Sequence, residues 1–325
     1  MSSRLGALAG RALFTVADRT YAWDDVLLGA ELRGELGSLE RQTRQGLASV
    51  KRLEAEEAEA PSEAIRAAAT VFRYDRNLLA AEELESWLDD RGLTVSDWNA
   101  YLRRQVLRER WEDELERIEA DFAVGNDEVE AALPAEAICT GFLRQAAERL
   151  AEDAALAEAD GAGGDAVDHP TIAALSLTAD AVRARVPGAA EIKREVTAHA
   201  LDWLRIEADT LELADAEAAR EAALCVRVDG RPLIDVADDC GVAAEAATLY
   251  LGDADPELQA ALASAAPGEL VGPVARGTGH LLLQVRAKAE PSADDPEVAR
   301  RAAAVLAARR IERELRDRVV WHERP

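Results

Sequence analysis

A mostly helical α+β protein is what this 325-residue sequence predicts, on three observations. Hydrophobic residues make up 49% of the chain but aromatics only 4%, so alanine carries much of the apolar content and close helix-on-helix packing follows. Apolar residues recur at helical spacing through residues 78–120. Between Gly268 and Val285 the pattern changes: Pro267-Gly268 and Gly272-Pro273 are turn signals, and Leu281-Leu282-Leu283 is an apolar run. That segment reads as two short strands joined at a corner, with His280 at the start of the second.

The elements follow in order. Alternation around the polar turn Ala17-Asp18-Arg19-Thr20 predicts a small hairpin, after which Asp24 or Asp25 caps a helix beginning near Val26 and running on through the leucines to about residue 60. Pro61-Ser62 restarts the helical pattern. Leu84, Trp87 and Leu88 share one face of a helix that Gly92 stops. Thr94 then opens the next helix, with Asp97 as the acidic member of a capping box and Trp98, Tyr101, Leu102 and Val106 on its apolar face.

Residues 127–159 form a further helical block, and the Gly-rich stretch at about 160–170 cannot continue it, so it reads as a linker. Helical pattern resumes from about Thr178 to His199 with a break at Pro187-Gly188, and the alternation in "LDWLRIEADTLEL" predicts a strand. A helix from Asp215, a turn at Asp229-Gly230, a short helix, a strand ending near Tyr250 and a helix after Asp255 lead to the two strands. After Pro291 one long helix enters through Asp294-Asp295-Pro296 and ends in a short strand, Val319-Val320-Trp321. The predicted domains are residues 1–199, 200–290 and 291–325.

Net charge excludes some functions. The chain carries −25, yet its first 52 residues hold eight Lys/Arg against six Asp/Glu, so the acidity lies in the remainder. Such a surface repels phosphate backbones and anionic lipid, and no partner of nucleic acid or membrane is expected. Cys139, Cys225 and Cys240 show neither disulfide nor zinc spacing, which fits a reduced, cytoplasmic setting. Arg11 interrupts the apolar start of the chain, and no apolar run approaches a membrane span. No dinucleotide, P-loop or nucleophile-elbow motif occurs, so no cofactor and no metal are expected. Asp168-His169 has no second His or Cys at ligand spacing, and Cys225 reads as a small buried hydrophobe on a helix.

The order of elements over residues 200–288, closing in "PGELVGPVARGTGHLLLQV", resembles the parvulin (PpiC-type) peptidyl-prolyl isomerase domain. "AAEELESWLDDRGLTVSDWNAYLRRQVLRER" is similar to the helical peptide-handling domain of SurA-like chaperones, in which an isomerase domain is inserted and a last helix returns. The long helix after Pro291 stands where that helix would be. The resemblance covers roughly residues 12–120 and 200–321, and the middle block, 121–199, has no counterpart. It implies a SurA-like helical domain with an inserted parvulin-like α+β domain, and His280 in the place of one of two catalytic histidines.

Departures from that family count against catalysis. The other histidine is placed by the resemblance in "LDWLRI", where Trp203 or Leu204 stands instead; His199 is near enough to substitute only with a shift of register. No Phe or Met occurs between Thr197 and Glu290 to wall a proline pocket. Isomerisation faces a barrier of about 18–20 kcal/mol and needs a desolvated site that prefers the twisted amide, so a degenerate domain is expected. His280 reads rather as a structural histidine at a strand start. The sequence therefore predicts a chaperone-like protein holding an unfolded or precursor polypeptide, an accessory factor in maturation of a ribosomally made peptide. An active X-Pro isomerase and a structural partner in a larger complex are the alternatives. The expected contacts are Trp87, Trp98, Tyr101, Trp111, Trp203 and Tyr250, with His280 as the catalytic candidate; no oligomeric state is read from the sequence.

Overall fold

The computed structural model describes residues 8, 10–161 and 171–323. Most of the linker expected at 160–170, with Asp168 and His169, lies outside the described residues. The protein is α+β and mostly helical, and it divides into two compact units. One comprises residues 1–185 and 311–325, the other residues 186–310.

The first unit opens with β1 (Ala12–Val16) and β2 (Arg19–Ala22), the expected hairpin, turning at Ala17 with a positive φ of 51°. Where the leucine pattern suggests one helix there are two, α1 (Trp23–Leu32) and α2 (Glu35–Ala55), because Gly34 takes a left-handed conformation between them. Asp25 accepts from the Ala22 N–H as the third residue of α1 rather than as its cap. The chain continues through α3 (Ser62–Asp75), α4 (Ala81–Asp89), α5 (Val95–Arg110), α6 (Leu115–Asp121), α7 (Asn126–Cys139), α8 (Phe142–Ala159) and α9 (Ile172–Arg183). Thr94 and Asp97 form the capping box at the start of α5, through Asp97 N–H to Thr94 Oγ1 at 3.2 Å and Thr94 N–H to Asp97 Oδ2 at 2.9 Å. Helix α2 crosses α5 at Gly46, where an added Cβ would stand 2.9 Å from the Cβ of Arg104. The contact explains the glycine.

The second unit holds α10 (Ala189–Ala198), β3 (Arg205–Leu213), α11 (Ala216–Val228), α12 (Leu233–Asp239), β4 (Glu245–Tyr250), α13 (Pro256–Ser264), β5 (Leu270–Arg276) and β6 (Gly279–Ala289). Its antiparallel sheet has the order β4-β3-β6-β5. Side chains alternate across it, as a two-residue period requires. Leu211, Leu213 and Leu282 pack on α11 and α12, whereas Ile206, Ala208, Leu281 and Leu283 pack with Leu258 and Leu262 of α13 on the opposite face. A bulge between Val271 and Val274 bends β5, and Gly272 meets it with a φ of 100°.

The last helix, α14 (Pro296–Arg318), begins in the second unit and ends in the first, and β7 (Val319–Trp321) then pairs antiparallel with β1. The three-stranded sheet is therefore ordered β2-β1-β7. Phe14 is wholly buried there, its ring 4.8 Å from that of Tyr21 and 5.1 Å from that of Trp321. Among the described residues no helix is long and apolar enough to cross a membrane.

Candidate functional site

Helices α3 and α5 enclose a groove of about 870 Å³ in the first unit. On α3 its lining is Ala64, Ala68, Val71 and Asp75, a stripe at i, i+4, i+7 and i+11 made mostly of small side chains. Tyr101, Gln105 and Val106 of α5 form the other wall, and Phe72 and Cys139 lie at its base. Val71 is exposed although apolar, and Tyr74 and Leu79 nearby in the chain are exposed as well. A groove of small and apolar side chains flanked by Arg76, Glu109 and Arg110 can take the apolar side chains of an extended or helical segment while its polar groups stay wet.

Phe72 organises the aromatic residues at this place. The rings of Trp87 and Trp98 each lie 5.6 Å from it and that of Tyr101 at 6.3 Å. Of these only Tyr101 borders the groove, and Trp98 is core, 6% exposed. Trp111 lies elsewhere, against Ala48, Leu53, Leu107 and Ile118, with the Arg52 guanidinium 4.5 Å over its ring. Burial pushes the Cys139 thiol up to about 12, so it stays protonated.

A second cavity of about 510 Å³ adjoins the groove, sharing Asp75, Arg76 and Thr140 with it. It contains Trp87, half-buried, and three arginines, Arg76, Arg91 and Arg144. Arg76 lies 3.8 Å over the Phe72 ring and Arg91 4.3 Å over the Trp87 ring. Burial pulls both guanidinium pKa values below their ordinary range. Neither arginine stands out in the sequence as a site residue, but the signal exists: Phe72/Arg76 and Trp87/Arg91 are both aromatic-to-arginine pairs four apart, the spacing that stacks one over the other on a helix.

In the second unit the remaining expected residues separate. Trp203 precedes the strand, in the turn between α10 and β3, and stacks on His199 at 4.6 Å. The strand begins only at Arg205, so Trp203 and Leu204 are not strand residues. Burying Trp203 against Val196, Val298 and Ala302 anchors α10 on α14, with Tyr250 half-buried in the same cluster under Arg301 at 4.0 Å. His199 lies between Glu195 at 3.0 Å and Asp202 at 3.1 Å. Cys225 packs at the margin of the α11 cluster.

His280 pairs with Leu213 of β3 and Ala275 of β5, on the sheet face that carries Leu282 and α11. Asp215 is the N-cap of α11, its carboxyl held below the usual range first by the N–H groups of Ala218 and Glu217. The sheet's cavity, about 500 Å³, is on the other face, lined by Thr210, Glu212, Leu249, Leu258, Leu281 and Leu283 among others. Histidine and cavity do not meet. Among the described residues no three His, Cys, Asp or Glu side chains converge as metal ligands would.

No protein-family model matches the chain, and no curated protein matches it in sequence. Solved structures similar to it include the foldase protein PrsA of Lactococcus lactis, 12% identical over 97% of this chain and 96% of that one, with a TM-score of 0.28. The foldase PrsA of Streptococcus pneumoniae is 9% identical over 94% and 93% of the two chains, TM-score 0.28. A structure from Campylobacter jejuni, from work describing PEB4 and the periplasmic protein Cj1289 as SurA-like chaperones, is 9% identical over 96% and 99%, TM-score 0.21.

Proposed function

We propose that this protein is a chaperone-like holder of unfolded or precursor polypeptide, with the groove between α3 and α5 as its binding surface and a parvulin-like second unit that does not isomerise proline. The observation that carries the reading is the groove itself: a continuous stripe of Ala64, Ala68 and Val71 facing Tyr101 and Val106 across about 870 Å³, which no side chain of the described residues fills. Support for a non-catalytic second unit comes from the position of His280 on the face opposite the sheet's cavity. An acidic surface and three cysteines without pairing spacing favour a cytoplasmic client such as a ribosomally made precursor peptide.

Val71→Arg places a charged side chain in the groove from an exposed position, 59% accessible, and should leave the core intact. Fluorescence anisotropy with a dye-labelled, permanently unfolded polypeptide is expected to show binding by the wild type, weakened at least about fivefold in the variant, as blocking an apolar contact of roughly 1 kcal/mol or more implies. Equal affinity in wild type and variant, or no binding by either, would overturn the reading.

A further inference from the structure

Of the residues expected from the sequence only Trp87 lines the arginine-lined cavity beside the groove; its arginines are not among them. Three arginines converge on it with one carboxylate, Asp75, in a chain whose net charge is −25. Arg144 is held at 3.6 Å by Glu148, but Arg76 and Arg91 make their hydrogen bonds only to carbonyl oxygens among the described residues: Arg76 to Cys139 at 2.7 Å and Phe72 at 3.3 Å, Arg91 to Trp87 at 3.2 Å. A guanidinium has five N–H donors, so both retain unused ones. Asp90 and Glu323 act on Arg91 from outside the cavity and Arg11 opposes them, while Arg76 and Arg144 repel each other. Two partly dehydrated cations, fixed by stacking on Phe72 and Trp87, thus face a space walled by Trp23, Ile138 and Leu143. Preordered guanidinium groups beside an apolar wall match a carboxylate attached to an apolar residue.

We propose that this cavity receives the C-terminal carboxylate of the polypeptide lying in the groove, so that the protein holds chain ends. The proposal rests on the groove being a peptide site. The cavity meets the groove only at Asp75, Arg76 and Thr140, which suits a segment that ends there better than one that passes through. Asp75 at the junction disfavours a second negative charge upstream and leaves the terminal carboxylate for Arg76 and Arg91.

Titration calorimetry with the full chain tests this using three acetylated octapeptides rich in Leu and Val: one with a free C-terminal carboxylate, the same sequence amidated, and an amidated version with an internal Glu. The free acid is expected to bind at least about tenfold more tightly than either amide, the worth of a charge-assisted hydrogen bond to a half-buried cation. Arg91→Gln should erase that difference, and Arg144→Gln, at an exposed position, should reduce it without risk to folding. Equal binding of acid and amide overturns the proposal and leaves the groove reading standing. Equal binding of the acid and the internal-Glu peptide overturns the assignment to a chain end. Binding of none of the three removes the groove reading itself.

Discussion

Glu136 and Arg104 meet inside the helical unit with N–O at 2.6 Å, only 2% and 6% exposed. Burial pushes the Glu136 carboxyl above the usual carboxylate range and Arg104 pulls it back. A folded-state pKa raised on an acid means that the native protein holds this proton more tightly than the unfolded chain; the group favours folding increasingly as pH falls through its folded pKa toward the ordinary value and opposes it above. Removing one partner leaves the other charge buried alone, so Glu136→Ala is expected to cost about 3 kcal/mol in urea denaturation, and the pair Arg104→Met with Glu136→Leu to recover most of it. A single loss below about 1 kcal/mol would mean that water reaches the pair. The sequence hides this contact because the two residues stand 32 positions apart on different helices. It hides the candidate site in the same way. Trp98 and Trp111 look like a binding stripe but occupy the stripe that packs inward, whereas Arg76 and Arg91, which read as ordinary charges after a helix end, gain their setting from rings four residues earlier.

At the scale of elements, local chemistry was enough where one or two residues decide an end. Gly92, with a φ of 69°, and the Thr94–Asp97 box delimit the turn between α4 and α5 as the sequence predicts, and Pro267-Gly268 precedes β5; Gly272-Pro273, expected as a second turn, instead lies inside β5 at its bulge. Breaks inside continuous apolar patterns were not legible: Gly34 divides α1 from α2 and Gly141, at a φ of 79°, divides α7 from α8, each within a run whose periodicity hardly changes. Nor was the cavity face of the second sheet, since which side of β6 is covered by α13 depends on register and not on composition. Thr94→Ala removes the acceptor for the Asp97 N–H and should destabilise the first unit by about 1 kcal/mol in the same urea assay. An unchanged midpoint would show that Asp97 alone holds that end.

For the whole molecule, what matters is that the first unit is assembled from both ends of the chain. Beyond the strand pairing, His322 N–H donates to Leu13 O at 2.9 Å and Arg11 binds Glu323 at 2.7 Å, while Leu315 and Val319 pack on the helical core. Deleting everything after Arg318 uncovers Phe14 and is expected to cost the first unit about 2 kcal/mol, the price of re-exposing part of an aromatic side chain. Hydrogen exchange would show faster exchange at Leu13–Val16 with the amides of β3 and β6 unchanged; loss of protection in both sheets together would mean that the units do not unfold separately. The pairing of β1 with β7 also sets a clock on synthesis. At roughly 5–20 residues per second, the roughly 300 residues between those strands take about 15–60 s to make, and until then the hairpin waits with its apolar edge bare while the second unit's sheet is already complete. A protein read here as a holder of unfinished chains is, for that interval, an unfinished chain that something else must hold.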